Sequence, residues 1–185
     1  KYYGGKQGLD CYLKIMEGND LYSRRNIKDN NLARHIAEEV LAMCPEVPMA
    51  YLLMANVHSL DYWLGSTKSP QESVDKAIEL TQKALALDDT LAEAHGFLGY
   101  LYTQKREYEK GIAEGEQAVV LNPNGAIVLV NYAMSLNFAG RSEEAIPLFQ
   151  KAIRLNPAGS FANYQHFGNA LMFTGRYEEA VSAYK

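Results

Sequence analysis

Apolar and small residues recur every three to four positions along most of this 185-residue chain, and short polar or glycine-containing breaks separate these stretches. One stretch includes Ala94, Leu98 and Tyr102, and the next one, after a charged break, includes Tyr108 and Ile112. This spacing predicts amphipathic helices. Because the breaks are short, successive helices are expected to pack as antiparallel hairpins.

The predicted hairpins repeat with a fixed period. The sequence Leu121-Asn122-Pro123 returns as Leu155-Asn156-Pro157, and 157 − 123 = 34. Each proline ends a helix, because proline has no amide hydrogen to donate and disfavours a helical conformation in the residue before it. A period of this size is typical of stacked helix pairs. The prediction is an all-α fold, a right-handed superhelix of antiparallel helix hairpins, and such stacks present surfaces to partners.

The repeated stretches resemble the tetratricopeptide repeat, whose pattern is W-x2-L-G-x2-Y, then A-x3-F, then P. Leu98-Gly99 matches the first block, and Ala145 with Phe149 matches the second. Gly111 and Gly115 depart from the pattern, which has Ala and an aromatic residue at these positions. Each glycine costs about 1 kcal/mol of helix propensity, so this helix is expected to be the softest of the set.

The repeat pattern divides the chain into a lead-in segment, 1–8, and one repeat domain, 9–185. The approximate repeats are 9–47, 48–91, 92–125, 126–160 and 161–185, and the last of them is truncated. The second repeat is predicted to have an elongated first helix and a long loop, Gly65–Pro70. The chain begins with Lys1 rather than Met and ends within a predicted helix, so we expect a fragment of a longer protein. An open C-terminal end would favour a homodimer.

Charge and composition exclude some classes of function. The formal net charge is −4, whereas nucleic-acid-binding proteins usually carry a basic excess. No stretch approaches the roughly 18 apolar residues of a spanning helix, so direct membrane insertion is not predicted. Cys11 and Cys44 lie far apart and lack metal-ligand spacing, so both are predicted to be reduced and semi-buried. Reduced cysteines favour a cytoplasmic location.

No motif indicates catalysis, a cofactor or a metal. The run Gly4-Gly5-Lys6-Gln7-Gly8 lacks the spacing of a phosphate-binding loop. His35, with Glu38 and Glu39, is more typical of a solvated helix face than of a metal site. We therefore predict that this fragment is not an enzyme and binds no cofactor; an enzyme with its active site in the repeat groove is the remaining catalytic alternative.

The resemblance implies a binding groove, because the first helix of each pair lines the concave surface of tetratricopeptide proteins. The non-packing positions of the first helices are Leu52, Asn56, Ser59, Gly96, Tyr100, Thr103, Val130, Met134, Asn137, Gln165, Asn169 and Met172. The set lacks the basic residues with which well-known members clamp a C-terminal carboxylate. It fits an apolar or amide-bearing peptide, or a helix of the same protein. For any single position, a solvated side chain without a partner is the alternative.

Tyr62 and Trp63 form a second candidate, an aromatic anchor, since Tyr and Trp dominate interface hot spots. Packing against the partner helix is the alternative. The phrases at residues 4–14, 62–65 and 69–73 also resemble the C-terminal repeat region of bacterial class III adenylate/guanylate cyclase fusion proteins. That resemblance implies a regulatory or docking module, with a protein or peptide partner that could be intramolecular, in a larger signalling protein. A free-standing scaffold or adaptor for multiprotein assembly is the alternative.

Overall fold

Ten α-helices, and no β-strand, occur in residues 3–157 and 161–184, which the computed structural model describes. The helices are α1 (Gly5–Ser23), α2 (Ile27–Met43), α3 (Pro48–Leu64), α4 (Pro70–Leu87), α5 (Ala92–Gln104), α6 (Tyr108–Leu121), α7 (Ala126–Phe138), α8 (Ser142–Leu155), α9 (Phe161–Phe173) and α10 (Tyr177–Ala183). Consecutive helices pair into hairpins, so the all-α prediction is confirmed. The chain divides into two compact units, Lys1–Thr90 and Leu91–Lys185.

The single predicted domain 9–185 and its repeat boundaries stay predictions, and the boundary between residues 160 and 161 falls partly outside the described residues. The predicted lead-in segment 1–8 also stays a prediction, and α1 begins within it, at Gly5. The Gln7 side chain donates a hydrogen bond from Nε2 to the Met43 carbonyl at 2.7 Å, which ties this first turn to the end of α2.

The break between α1 and α2 is short, three residues from Arg24 to Asn26. Helix α2 begins at Ile27, because Asn26 caps it: Asn26 Oδ1 accepts a hydrogen bond from the Asp29 amide at 2.9 Å. Such a cap satisfies one of the free amides of the first turn. The elongated α3 and the loop after it are as predicted. Helix α3 ends at Leu64 and is capped by Gly65, whose φ of +62° is left-handed.

The two cysteines are not reduced, which corrects the prediction from sequence. Cys11 of α1 and Cys44 after α2 form a disulfide, with Cα atoms 6.6 Å apart. Both are buried with Ile15, Val40 and Val47 in the core that joins α1, α2 and the start of α3. Their separation of 33 residues gives no local signal of pairing; packing of the first hairpin brings them together.

A buried polar cluster fixes the far end of α3 against α2. The Asp61 carboxylate accepts hydrogen bonds from Asn30 Nδ2 at 2.8 Å and from Ser66 Oγ at 2.9 Å, and it pairs with the Arg34 guanidinium. Asn30 and Asp61 are both buried. Buried carboxylates are stable only when their hydrogen bonds are satisfied in this way. The cluster therefore positions the C-terminal part of α3 and the loop that follows it.

In the second unit, α5 and α6 approach closely through glycines. A Cβ atom on Gly99 would lie 2.6 Å from the Gly111 carbonyl oxygen, and one on Gly111 would lie 2.7 Å from the Gly99 carbonyl oxygen. A side chain at either position would therefore force the two backbones apart. The departure of Gly111 from the repeat pattern therefore has a packing reason that propensity alone does not show.

Candidate protein-interaction surface

Two turns in the second unit share one design. Helices α7 and α9 end at Phe138 and Phe173, and 173 − 138 = 35. Two residues after each phenylalanine stands a glycine in the left-handed region, Gly140 with φ +80° and Gly175 with φ +77°. Only glycine adopts this conformation without strain. The turns therefore place both phenylalanines at equivalent helix ends.

An ion pair follows each of these turns. Arg141 makes two hydrogen bonds of 2.6 Å to Glu144, and Arg176 makes two of 2.7 Å to Glu179. The hydrogen bonds from Arg141 lower the pKa of the Glu144 carboxyl below its ordinary value. These pairs are largely exposed, so they contribute little to stability and mainly order the start of α8 and α10.

Aromatic rings form a row on the first helices of this unit. Phe97 and Tyr100 of α5 stack with ring centroids 6.1 Å apart, and Tyr100 lies 6.2 Å from Phe138 of α7. Both distances are in the range of favourable aromatic pairs. The two α5 rings are buried, whereas Phe138 is 41% exposed, so the row ends at an accessible ring.

A cavity of about 460 Å³ opens beside that ring. Its lining residues are Asn137, Phe138, Gly140, Ser142, Glu143, Phe173 and Thr174. Phe173 is 66% exposed, so two accessible phenylalanines from successive first helices contribute to one cavity. Below, this is called the Phe138–Phe173 cavity.

Ser142 and Asn137 join the two helices at this cavity. Ser142 is the first residue of α8 and makes no cap of its own. Its hydroxyl donates a hydrogen bond to Asn137 Oδ1 at 2.6 Å. Because the Ser142 hydroxyl is hydrogen-bonded to α7, it does not cap α8. The Arg141–Glu144 ion pair orders the first turn of α8 instead.

The predicted groove positions divide sharply by exposure. Most of these residues are buried, namely Leu52, Ser59, Gly96, Tyr100, Thr103, Val130, Met134 and Asn137. Asn56 and Asn169 are half-buried, and Gln165 and Met172 are exposed. Asn169 Oδ1 accepts a hydrogen bond from the Tyr184 hydroxyl at 2.6 Å. The groove stays a prediction, and within this set only Gln165 and Met172 offer freely accessible side chains.

Sequence reasoning missed Phe138 and Phe173, which follow the predicted Asn137 and Met172 by one residue. A signal for them exists. Phenylalanine, one residue, Gly-Arg, one residue and Glu-Glu-Ala occur in the same order at 138–145 and 173–180. The repetition of a large apolar residue beside a glycine turn distinguishes these positions from ordinary core positions.

The predicted aromatic anchor lies in the first unit. The Tyr62 and Trp63 rings meet edge to face, with centroids 5.4 Å apart. Trp63 is half-exposed and Tyr62 is partly buried. Its use as an anchor stays a prediction. Among the described side chains there is no group of three or more His, Cys, Asp or Glu residues that could hold a metal ion.

Comparison with known proteins agrees with the repeat pattern in the sequence. Residues 92–124, 126–158 and 162–185 match the tetratricopeptide repeat family. The transcriptional regulator HilA of Salmonella typhimurium is 31% identical over 164 residues, 87% of this chain and 27% of that protein. The peroxisomal targeting signal receptor of Saccharomyces cerevisiae is 31% identical over 112 residues, 58% of this chain and 18% of that protein. This chain therefore spans about a quarter of the first relative and less of the second.

A solved structure agrees in fold. The thermophilic tetratricopeptide protein of Thermus thermophilus superposes with a TM-score of 0.72 at 19% identity, covering 94% of this chain and 88% of that chain. The fold is thus the tetratricopeptide-repeat fold, and the residues that match the repeat model all lie in the second unit. Repeats of this kind form protein–protein interaction modules. None of the helices in the described parts of the chain is long and apolar enough to cross a membrane.

Proposed function

We propose that this chain is a non-catalytic docking module of a larger bacterial regulatory protein, and that it holds a protein partner on the first-helix surface of its second unit. The observation that carries the proposal is the aromatic row that ends at the accessible Phe138, together with the accessible Phe173, which lines the same cavity. Exposed aromatic residues in well-packed surroundings are typical interface hot spots. The partner could be another protein or another part of the same one.

The regulatory part of the proposal draws support from the match to HilA, whose name is that of a transcriptional regulator. A narrower proposal, based on the cyclase resemblance, is that the larger protein is an adenylate/guanylate cyclase. A free-standing scaffold is the alternative. The size of the native polypeptide separates them: an immunoblot band far above 20.7 kDa supports a multidomain parent, and a band near 20.7 kDa supports the scaffold.

A photo-crosslinking experiment tests the docking surface itself. A benzophenone amino acid replaces Phe173 in the native polypeptide, and the same amino acid replaces Val120, an exposed residue of α6, as the control. We expect a defined adduct from position 173 only, and mass spectrometry of the adduct shows whether the partner is the same chain or another protein. Equal adducts from both positions, or none from either, contradict the proposal.

Self-association through α10 is a second candidate. Tyr177 and Val181 of this helix are both more than half exposed. A cavity of about 660 Å³ nearby has Phe167 and Leu171 in its lining. We expect sedimentation to show a concentration-dependent dimer that Val181→Ser weakens. A strict monomer at high concentration contradicts this candidate.

The cytoplasm stays the proposed location, and this location requires a particular redox state of the two cysteines. The Cys11–Cys44 bond would then have to be reduced in the cell, since reducing compartments keep thiols free. Rapid alkylation of free thiols in intact source cells measures this directly. A fully oxidised pair argues for an oxidising compartment instead.

A further inference from the structure

We propose that the Phe138–Phe173 cavity binds an extended segment of the partner in which a bulky apolar side chain stands next to a lysine or arginine. The inference rests on the proposed docking function and names the chemistry of its partner. Three features of the cavity define its occupant. The two phenylalanine rings favour an apolar side chain, the Asn137 amide favours an extended backbone, and the Glu143 carboxylate favours a basic residue.

The apolar side chain follows from the two rings. The cavity, at about 460 Å³, lies within the range of roughly 300–1,000 Å³ that is usual for binding pockets. Tyr100 packs against Phe138 from the α5 side, so one wall is held in place before any partner arrives. Covering Phe138 and Phe173 removes exposed aromatic surface from water, which is the main driving force for association.

The extended backbone follows from Asn137. This side chain is only 9% exposed, and its Oδ1 is already occupied by the Ser142 hydroxyl. Its Nδ2 has no acceptor within hydrogen-bond distance in the described part of the chain. An amide donor that is reached by solvent and has no protein acceptor is free to bind a ligand, and a peptide carbonyl is a suitable acceptor. Helices use their own carbonyls internally, whereas an extended segment leaves them free.

The basic neighbour follows from Glu143, which lies exposed in the first turn of α8. No cation forms an ion pair with its carboxylate in the part of the chain that the structure describes. Arg176 is close enough to be influenced by this charge, but it is hydrogen-bonded to Glu179. A lysine or arginine of the partner fits beside Glu143, while a C-terminal carboxylate would be repelled. The occupant is therefore an internal segment.

Selection from a random dodecapeptide library displayed on phage tests this chemistry without a known partner. The 185-residue chain serves as bait, and the enriched peptides are synthesised and measured by fluorescence anisotropy. We expect enriched sequences to combine a Leu, Ile, Met or Phe residue with an adjacent Lys or Arg. Phe173→Ser should weaken these peptides about tenfold, since it removes one apolar wall. Val120→Ser, an exposed apolar position outside the cavity, should leave affinity within about twofold.

A charge swap separates binding at the cavity from general loss of folding. Glu143→Lys should weaken the selected peptides, and it should bind better the same peptides with Glu in place of Lys or Arg. A destabilised protein would not reverse its preference in this way. Unchanged affinity in Phe173→Ser, or no reversal in Glu143→Lys, overturns the cavity and leaves the docking function standing. Failure to enrich any peptide above an unrelated helical protein overturns both.

Discussion

The two units of this protein are built from the same hairpins but are held together by different means. The first unit has longer helices, a disulfide between Cys11 and Cys44, and the polar cluster around Asp61. The second unit has none of these in its described residues and instead has glycine contacts between α5 and α6 and two similar turns at Gly140 and Gly175. Where the repeat pattern is regular, small residues at fixed positions allow close packing, and single polar contacts such as Ser142–Asn137 add to it. Where it diverges, a disulfide and a buried carboxylate cluster link the hairpins.

The disulfide gives the largest expected effect and the sharpest test of this comparison. Reduction of Cys11–Cys44 releases a loop of 33 residues and should destabilise the first unit by about 3–4 kcal/mol. Hydrogen exchange with and without a phosphine reductant measures the change helix by helix. We expect faster exchange in α1 to α4 and unchanged exchange in α5 to α10. Equal acceleration in all helices would show that the units do not unfold separately.

The glycine contact gives the corresponding test in the second unit. Gly111→Ala places a methyl group against the Gly99 carbonyl oxygen and the Thr103 side chain. Overpacking of this kind typically costs about 1–3 kcal/mol, which exceeds the gain of about 1 kcal/mol in helix propensity. Urea unfolding should show lower stability, and hydrogen exchange should place the loss in α5 to α10.

Ala113→Ser, on the exposed face of the same helix, is the matched control for Gly111→Ala. It should change stability by less than about 0.5 kcal/mol. A gain in stability for Gly111→Ala would mean that α6 is limited by propensity, as the sequence alone suggests, and not by the close approach of α5.

The sequence predicts helices and turns well, because their signals lie along the chain itself. It predicts contacts between distant residues poorly, because these depend on how the helices pack. The 34-residue period and its prolines predict the hairpins of the second unit, and Pro48 and Gly65–Pro70 predict the elongated α3. The disulfide depends on which helix faces lie side by side, which no local pattern contains. The groove positions follow from helix periodicity, but neighbouring helices determine how much of each is buried, as for Tyr100.

A substitution in the turn after α5 should change stability by a smaller amount, and it should raise stability where the preceding changes lower it. Arg106 has φ +62°, in the left-handed region, where the other two turns of this unit have glycine. A non-glycine residue there costs about 1 kcal/mol. Arg106→Gly should therefore stabilise the second unit by up to that amount in urea unfolding. Gly140→Ala is the converse control and should destabilise it by a similar amount; identical effects of both changes would contradict the role of φ.

The pH dependence of the first unit should show the smallest effect, and it arises at His58. Burial of this half-buried side chain, together with the nearby Arg34 and Lys76, lowers its pKa below the ordinary value of 6.5, and Asp61 opposes the shift. The unfolded chain therefore takes up the proton first as the pH falls. Stability from this group is complete above pH 6.5 and is lost as the pH falls from there through the folded-state pKa, with a slope of at most about 1.4 kcal/mol per pH unit. Urea unfolding of His58→Gln across this range should show a shallower pH dependence than the unsubstituted chain, with the difference confined to α1 to α4 by hydrogen exchange. An unchanged slope would assign the pH dependence to other groups.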